Sequence, residues 1–209
     1  MGATEQIVER LRSEAGRTYA KEAGIALADK PMPLFQLLVL CMLASKPIDA
    51  TVAMRAAREL FAAGARTPDA VLDTDRGTVI KAFGRAGYAR YDESSATRLV
   101  EMARAVQDDH GGDLRRLADD HDVDAVRRKL KGFKGIGDTG AGIFLREVQD
   151  TWTWVRPYFD DRALDGAKRL GLPTDPEELQ RLAPDGTAAL AAGLVRATLD
   201  DSLLDRVRG

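Results

Sequence analysis

Two short stretches of this chain carry residue types that do chemistry. The first is Phe133 to Ala141, reading F-K-G-I-G-D-T-G-A, where two glycines flank one β-branched apolar residue and small residues follow. A backbone that turns sharply at Gly135 and Gly137 aims successive N–H groups at one point at the start of a helix, which makes a cradle for a phosphate. Arg127, Arg128, Lys129 and Lys131 precede the turn and Lys134 lies in it. A phosphate cradle among cations points to nucleic acid rather than to a small molecule. The second stretch is Asp160-Asp161, which opens a helix, a place where aspartate is favoured as a cap. The aromatics before it, Trp152, Trp154, Tyr158 and Phe159, can line a base pocket by stacking or wedge between helices.

Other chemistries are thinly supplied. The single cysteine, Cys41, excludes an intramolecular disulfide, a zinc site of several thiolates and a four-cysteine iron–sulfur cluster. Its place within an apolar helix makes it a small buried hydrophobe. The two histidines, His110 and His121, lie beside acidic or glycine-rich turns and are not read as metal ligands. With a formal net charge of −2, affinity for DNA must come from clustering of cations on one face. Asp108, Asp109, Asp119, Asp120, Asp122 and Asp124 fall at helix ends, where capping and the helix dipole account for most of them.

The elements that must position these groups read as helices punctuated by Gly and Pro. Thr4 is expected to cap a first helix with Ile7, Val8 and Leu11 on one face. Pro31 and Pro33 are expected to break the chain before an apolar helix, Leu34–Ala44. Asp49, Thr67-Pro68 and Asp75 open the next three helices, and a longer one runs from about Asp92 to Asp109, stopped by Gly111-Gly112. Two short helices, Leu114–Ala118 and Val123–Lys131, lead to the hairpin. Beyond it are expected a helix at Asp138–Val148, an aromatic loop, a helix from about Asp160 to Leu170, and one long helix over Thr187–Leu204. No apolar run approaches the roughly 18–20 residues of a membrane span. The N-terminus has no signal-peptide core, so a cytoplasmic location is expected.

Taken together, Leu34 to roughly Pro173 resembles the endonuclease III-like superfamily of helix-hairpin-helix DNA glycosylases. Pro33-Leu34-Phe35-Gln36-Leu37-Leu38 with Met42-Leu43 resembles the family's helix entering the core, and Gly87-Tyr88 its mid-domain loop. The turn Phe133-Lys134-Gly135-Ile136-Gly137 resembles the family's leucine-proline-glycine-valine-glycine signature. Phe159-Asp160-Asp161-Arg162-Ala163-Leu164 running into Arg169-Leu170-Gly171-Leu172 resembles its helix with an essential aspartate and an arginine-leucine-glycine-leucine tail. The resemblance implies an all-α, two-lobed fold with the active site in the groove between the lobes. It divides the chain into a helical barrel lobe, 33–140, ending in the helix-hairpin-helix of 122–149, and a terminal lobe built from 1–32 and 141–209.

The resemblance also implies base excision on double-stranded DNA by a monomeric, nucleoid-associated enzyme. Asp160 falls at the catalytic position when counted back from the tail, with Asp161 as the alternative. Gly135, Ile136, Gly137, Lys134, Thr139, Lys131 and Arg128 are expected to meet DNA, and Lys46 and Tyr88 to occupy the gap left by a flipped base. Carbonyls of the turn, here those of Phe133 and Gly135, can hold a monovalent cation in the family. Three departures shape the expectation. Thr139 stands where lyase members carry a lysine nucleophile, and a threonine cannot form a Schiff base. The cysteines of an iron–sulfur cluster are absent, so no cofactor is expected. Asp138 sets a negative charge beside the phosphate cradle. The expected reaction is hydrolysis to an abasic site without strand cleavage, and the alternative is a non-catalytic helix-hairpin-helix DNA-binding protein.

Overall fold

Short polar side chains set most helix starts. Asp49 accepts the N–H of Thr51, Thr67 that of Ala70, Asp75 that of Thr78, Asp122 those of Asp124 and Ala125, and Asp175 that of Glu178. Each cap satisfies donors that the first turn of a helix leaves orphaned. The computed structural model describes residues 2–209, and among them no strand occurs. The helices are α1 Ala3–Ala15, α2 Tyr19–Glu22, α3 Pro31–Ala44, α4 Ala50–Ala62, α5 Pro68–Asp73, α6 Arg76–Arg85, α7 Asp92–His110, α8 Val123–Lys131, α9 Asp138–Val148, α10 Asp161–Arg169, α11 Pro176–Leu182, α12 Thr187–Ala197 and α13 Asp201–Arg208. Short 3-10 turns lie at Ala89–Tyr91, Leu114–Ala118 and Thr153–Val155. The all-α reading holds, and no helix among the described residues is long and apolar enough to cross a membrane.

Several boundaries differ from the sequence reading. Helix α3 begins at Pro31, because proline in a first turn forfeits no hydrogen bond and its φ suits a helix. Helix α1 starts one residue ahead of Thr4, with Gly2 as cap and the Glu5 carboxylate accepting the Gly2 N–H at 2.8 Å. The long helix expected over Thr187–Leu204 is two helices, since Asp200 leaves the helix and caps α13 through the N–H groups of Ser202 and Leu203. Helices α2 and α11 are additions to the expected set, although Asp175-Pro176 repeats the cap-then-proline signal of Thr67-Pro68.

The chain divides into two compact units. The central unit comprises Ala20–Phe144, and the terminal unit joins the N-terminal residues up to Tyr19 with Leu145–Gly209. Residues 20–32 thus belong with the central unit, and the second break falls inside α9. In the central unit, α3 is buried on every face from Leu34 to Leu43, Cys41 included, and packs on α4 and α7. Such all-round burial is what an apolar helix without a polar face requires. In the terminal unit, α12 packs on α1 and α10 around Leu11, Phe159, Ala163, Ala167, Leu190 and Leu194. At Gly166 of α10 the backbones of α10 and α12 approach so closely that any Cβ would overlap the Leu194 carbonyl. The height of α10, and with it the position of Asp160 at its start, is fixed by that approach.

Candidate phosphate cradle and carboxylate site

The hairpin is anchored from below by its own apolar letters. Phe133 and Ile136 are buried, the Ile136 N–H donates to the Phe133 carbonyl at 3.0 Å, and the Phe133 ring lies 5.6 Å from that of His110. Burial against this ring holds the His110 pKa below the ordinary 6.5. Between the anchors Gly135 turns with φ +94, a conformation that L side chains rarely adopt. Space adds to the demand, since a Cβ there would stand 3.1 Å from both Met42 Cγ and Arg98 Cδ. The N–H groups of Lys134, Gly135 and Gly137 donate to no protein acceptor among the described residues. Those of the first turn of α9, which includes exposed Thr139, have no intrahelical acceptor. The result is a run of backbone donors at the surface, suited to an anion.

The cations around this turn are partly engaged. Asp138 Oδ1 accepts from Lys131 at 2.8 Å and from Arg127 at 3.2 Å. The Lys131 hydrogen bond and charge, with Arg127 beside them, hold the Asp138 carboxyl below the usual carboxylate range. The charge that the sequence set against the cradle is therefore matched by two cations of α8. Lys134 pairs with Glu101 at 3.0 Å, and Arg128 is exposed. The Phe133 carbonyl already accepts from Ile136, and the Gly135 carbonyl lies 3.5 Å from the Ser45 hydroxyl. The Ser45 proton goes to the Met42 carbonyl at 2.9 Å, so the Gly135 oxygen keeps its lone pairs, and no step is derived through a metal.

Lys46 belongs to the same surface, because Ser45 touches the turn and Arg98 borders Gly135. Its ammonium is 6.0 Å from the centre of the Tyr91 ring, which also receives Arg90 at 5.4 Å. Partial burial and then the charge of Arg98 lower the Lys46 pKa. Of the expected DNA contacts, Ile136 has its side chain buried and its N–H given to the Phe133 carbonyl, and the structure also withdraws Tyr88. It is 1% exposed, its hydroxyl donates to the Leu43 carbonyl at 3.2 Å, and its ring packs on Phe83. A side chain tied into the core by its polar end cannot enter a duplex from the surface. The surface aromatic is Tyr91.

Asp160 and Asp161 lie in the terminal unit. Asp161 is exposed in the first turn of α10. Asp160 is its cap, with Oδ1 accepting the Ala163 N–H at 2.9 Å and Oδ2 accepting from Arg146 Nη1 at 2.5 Å. The Arg146 side chain is 2% exposed and that of Asp160 17%. Glu147, equally buried, has Oε1 3.8 Å from Arg146 Nη2, and the guanidinium lies 5.1 Å from the Tyr19 ring. One turn on, Gln149 Nε2 donates to the Tyr158 carbonyl and its Oε1 accepts the Tyr158 N–H, both at 2.9 Å. The carboxylate is thus held on both oxygens, and the segment leading to it is tied to the end of α9.

At this point the chain can be set beside known proteins. No protein-family model matches it, and no curated protein does. Among solved structures it is similar to a trapped endonuclease III–DNA covalent intermediate, the estranged-adenine complex, at 17% identity and a TM-score of 0.48. It is similar to a non-covalent endonuclease III–DNA complex at 17% identity and a TM-score of 0.49. Each likeness covers 92% of this chain and 84% of the other.

Sequence reasoning missed Arg146, Glu147, Gln149, Tyr91 and Arg98. A signal for the first three was present, since Arg146 and Glu147 interrupt an otherwise apolar run from Ala141 to Val148 and Gln149 follows it, with Arg146 and Gln149 spaced to share one helix face.

Proposed function

We propose that the protein grips duplex DNA through the hairpin of 133–139. On this reading it acts as a monofunctional DNA N-glycosylase, hydrolysing the N-glycosidic bond of a flipped damaged or mismatched base to leave an abasic site. The observation that carries this reading is Asp160, a carboxylate largely withdrawn from water and pinned by a helix N–H and a buried guanidinium. Taking a base out of the stack costs roughly a few kcal/mol, least for damaged or mismatched pairs. As the bond from the sugar to the base breaks, its electron pair leaves with the base and positive charge develops on the sugar. Asp160 stabilises that charge, water adds its oxygen to the sugar carbon, and the proton released goes to the departing base or to solvent. Thr139, at the position of the family's lysine, offers no amine for a Schiff base, so strand cleavage by the lyase route is not expected.

A second reading, a non-catalytic DNA-binding protein, is favoured by one observation. Both oxygens of Asp160 already have protein partners, as a purely structural cap would. Abasic-site release from duplexes carrying an alkylated purine, an oxidised pyrimidine, a deaminated base or a mispair decides between them, with Asp160→Asn as control. Product from the wild type and none from the variant supports the glycosylase. Salt-dependent binding of duplex without product from any substrate leaves the binding protein.

A further inference from the structure

Arg146 is the largest fully buried side chain among the described residues. A guanidinium taken out of water is costly, and replacing buried ion pairs by apolar residues of similar volume is often neutral or stabilising. Its presence therefore asks for a reason other than cohesion of the terminal unit.

Its neighbours supply one. The cap bond from Ala163 is local, and by itself it leaves the second oxygen of Asp160 free to swing about the bond to Cβ. Arg146 reaches that second oxygen from a different helix. The guanidinium is itself immobilised. It lies over the Tyr19 ring at 5.1 Å, and Arg196 lies over the same ring at 5.7 Å while Arg196 Nη2 donates to the Arg17 carbonyl at 2.8 Å. Glu147 stands 3.8 Å away. Behind it, Gln149 Nε2 donates to the Arg146 carbonyl at 3.0 Å, as well as pairing with both backbone groups of Tyr158. Arg146 and Gln149 thus hold the segment Tyr158–Asp160 by its side chain and by its backbone.

We infer that Arg146, braced by Gln149, is a positioning residue that fixes the rotamer of Asp160 for bond cleavage. The inference rests on the glycosylase reading. With threonine in place of an amine nucleophile, the carboxylate carries the chemistry alone, and a misplacement of about 1 Å at such a group can cost on the order of 10²-fold in rate.

The test uses the full chain and whichever duplex of the panel the wild type processes. Single-turnover excision, duplex affinity and thermal midpoint are measured for Arg146→Met, Arg146→Lys and Asp160→Asn. Arg146→Met is expected to excise on the order of 10²-fold more slowly per folded molecule with unchanged duplex affinity, and to lower the thermal midpoint as well, because it leaves the buried Asp160 and Glu147 carboxylates without their cation. Arg146→Lys, which restores one charged donor, is expected to recover part of that rate. A role confined to folding would lower the midpoint and leave the rate of the folded fraction unchanged, and would overturn the inference. So would wild-type rates in Arg146→Met beside an inactive Asp160→Asn. If Arg146→Met does not fold, Arg146→Lys decides, with about a tenfold slower rate at unchanged affinity expected and a wild-type rate overturning the inference. A wild type that binds duplex and releases no base overturns the glycosylase reading, and the inference with it.

Discussion

The hairpin and the Asp160 site are made from the same kinds of residue in opposite surroundings. Around the turn, Arg127 and Asp138 are 42% and 65% exposed and share their pairing with water. At the other site, Arg146 and Asp160 are 2% and 17% exposed. Exposed pairs are worth little and are screened by salt, so Lys131 and Arg127 can exchange a carboxylate for a phosphate at small cost. A buried pair cannot be exchanged, because removing one partner leaves the other charge without water. On the proposed reading one region makes a reversible grip, and the other holds a fixed geometry.

The contrast is broken most severely from inside the buried site. Asp160→Ala should destabilise the protein by up to roughly 3–5 kcal/mol, because the buried guanidinium loses its closest carboxylate and keeps only Glu147 at 3.8 Å as a counter-charge, with about 1 kcal/mol more from removal of the cap. Denaturant unfolding of the full chain measures this, and an effect below about 1 kcal/mol would mean that Glu147 or water compensates Arg146. Next comes Gly135→Ala, where positive φ and the crowding by Met42 and Arg98 should cost roughly 1–3 kcal/mol and weaken duplex binding. Unchanged affinity in that variant would detach the turn from DNA.

Smaller effects sharpen the exposed side. Lys131→Ala should lower the slope of log affinity against log salt by about 0.9, the share of one neutralised phosphate. Asp138→Asn, which frees both α8 cations, should bind several-fold tighter at low salt and equally at high salt. Equal binding at all salt concentrations would show that these cations do not face DNA. The smallest effect concerns His110. Its folded pKa lies below 6.5, so below pH 6.5 the unfolded chain takes up a proton that the folded chain resists. Stability is then full above pH 6.5 and declines as the pH falls beneath it. His110→Gln should flatten the thermal midpoint between about pH 7 and pH 5, and an unchanged slope would assign it to other groups.

What could be read from the letters was local. Caps at Asp49, Thr67, Asp75 and Asp160 act within a few residues, so most helix starts were legible, and so were the glycines of the hairpin. Tyr88 and Tyr91 share one turn, and nothing local decides which faces inward; the carbonyl of Leu43, far off in sequence, takes Tyr88. Arg146 was hidden for a related reason. A charged residue near a helix end reads as a solvated face, and its burial depends on Tyr19 and Asp160, which only the fold brings to it. Asp200 shows the reverse failure, where an apolar periodicity runs straight through a cap that ends one helix and starts another.

The close approach at Gly166 has a consequence for anyone who maps this protein by mutation. Any side chain there must push α10 off the Leu194 carbonyl, and α10 carries Asp160 at its head. On the glycosylase reading, a saturation scan scored on activity would flag Gly166 as strongly as the carboxylate, although glycine has no side chain to offer a substrate. In such a map, intolerance at Gly166 would trace a lever arm rather than a point of touch with DNA.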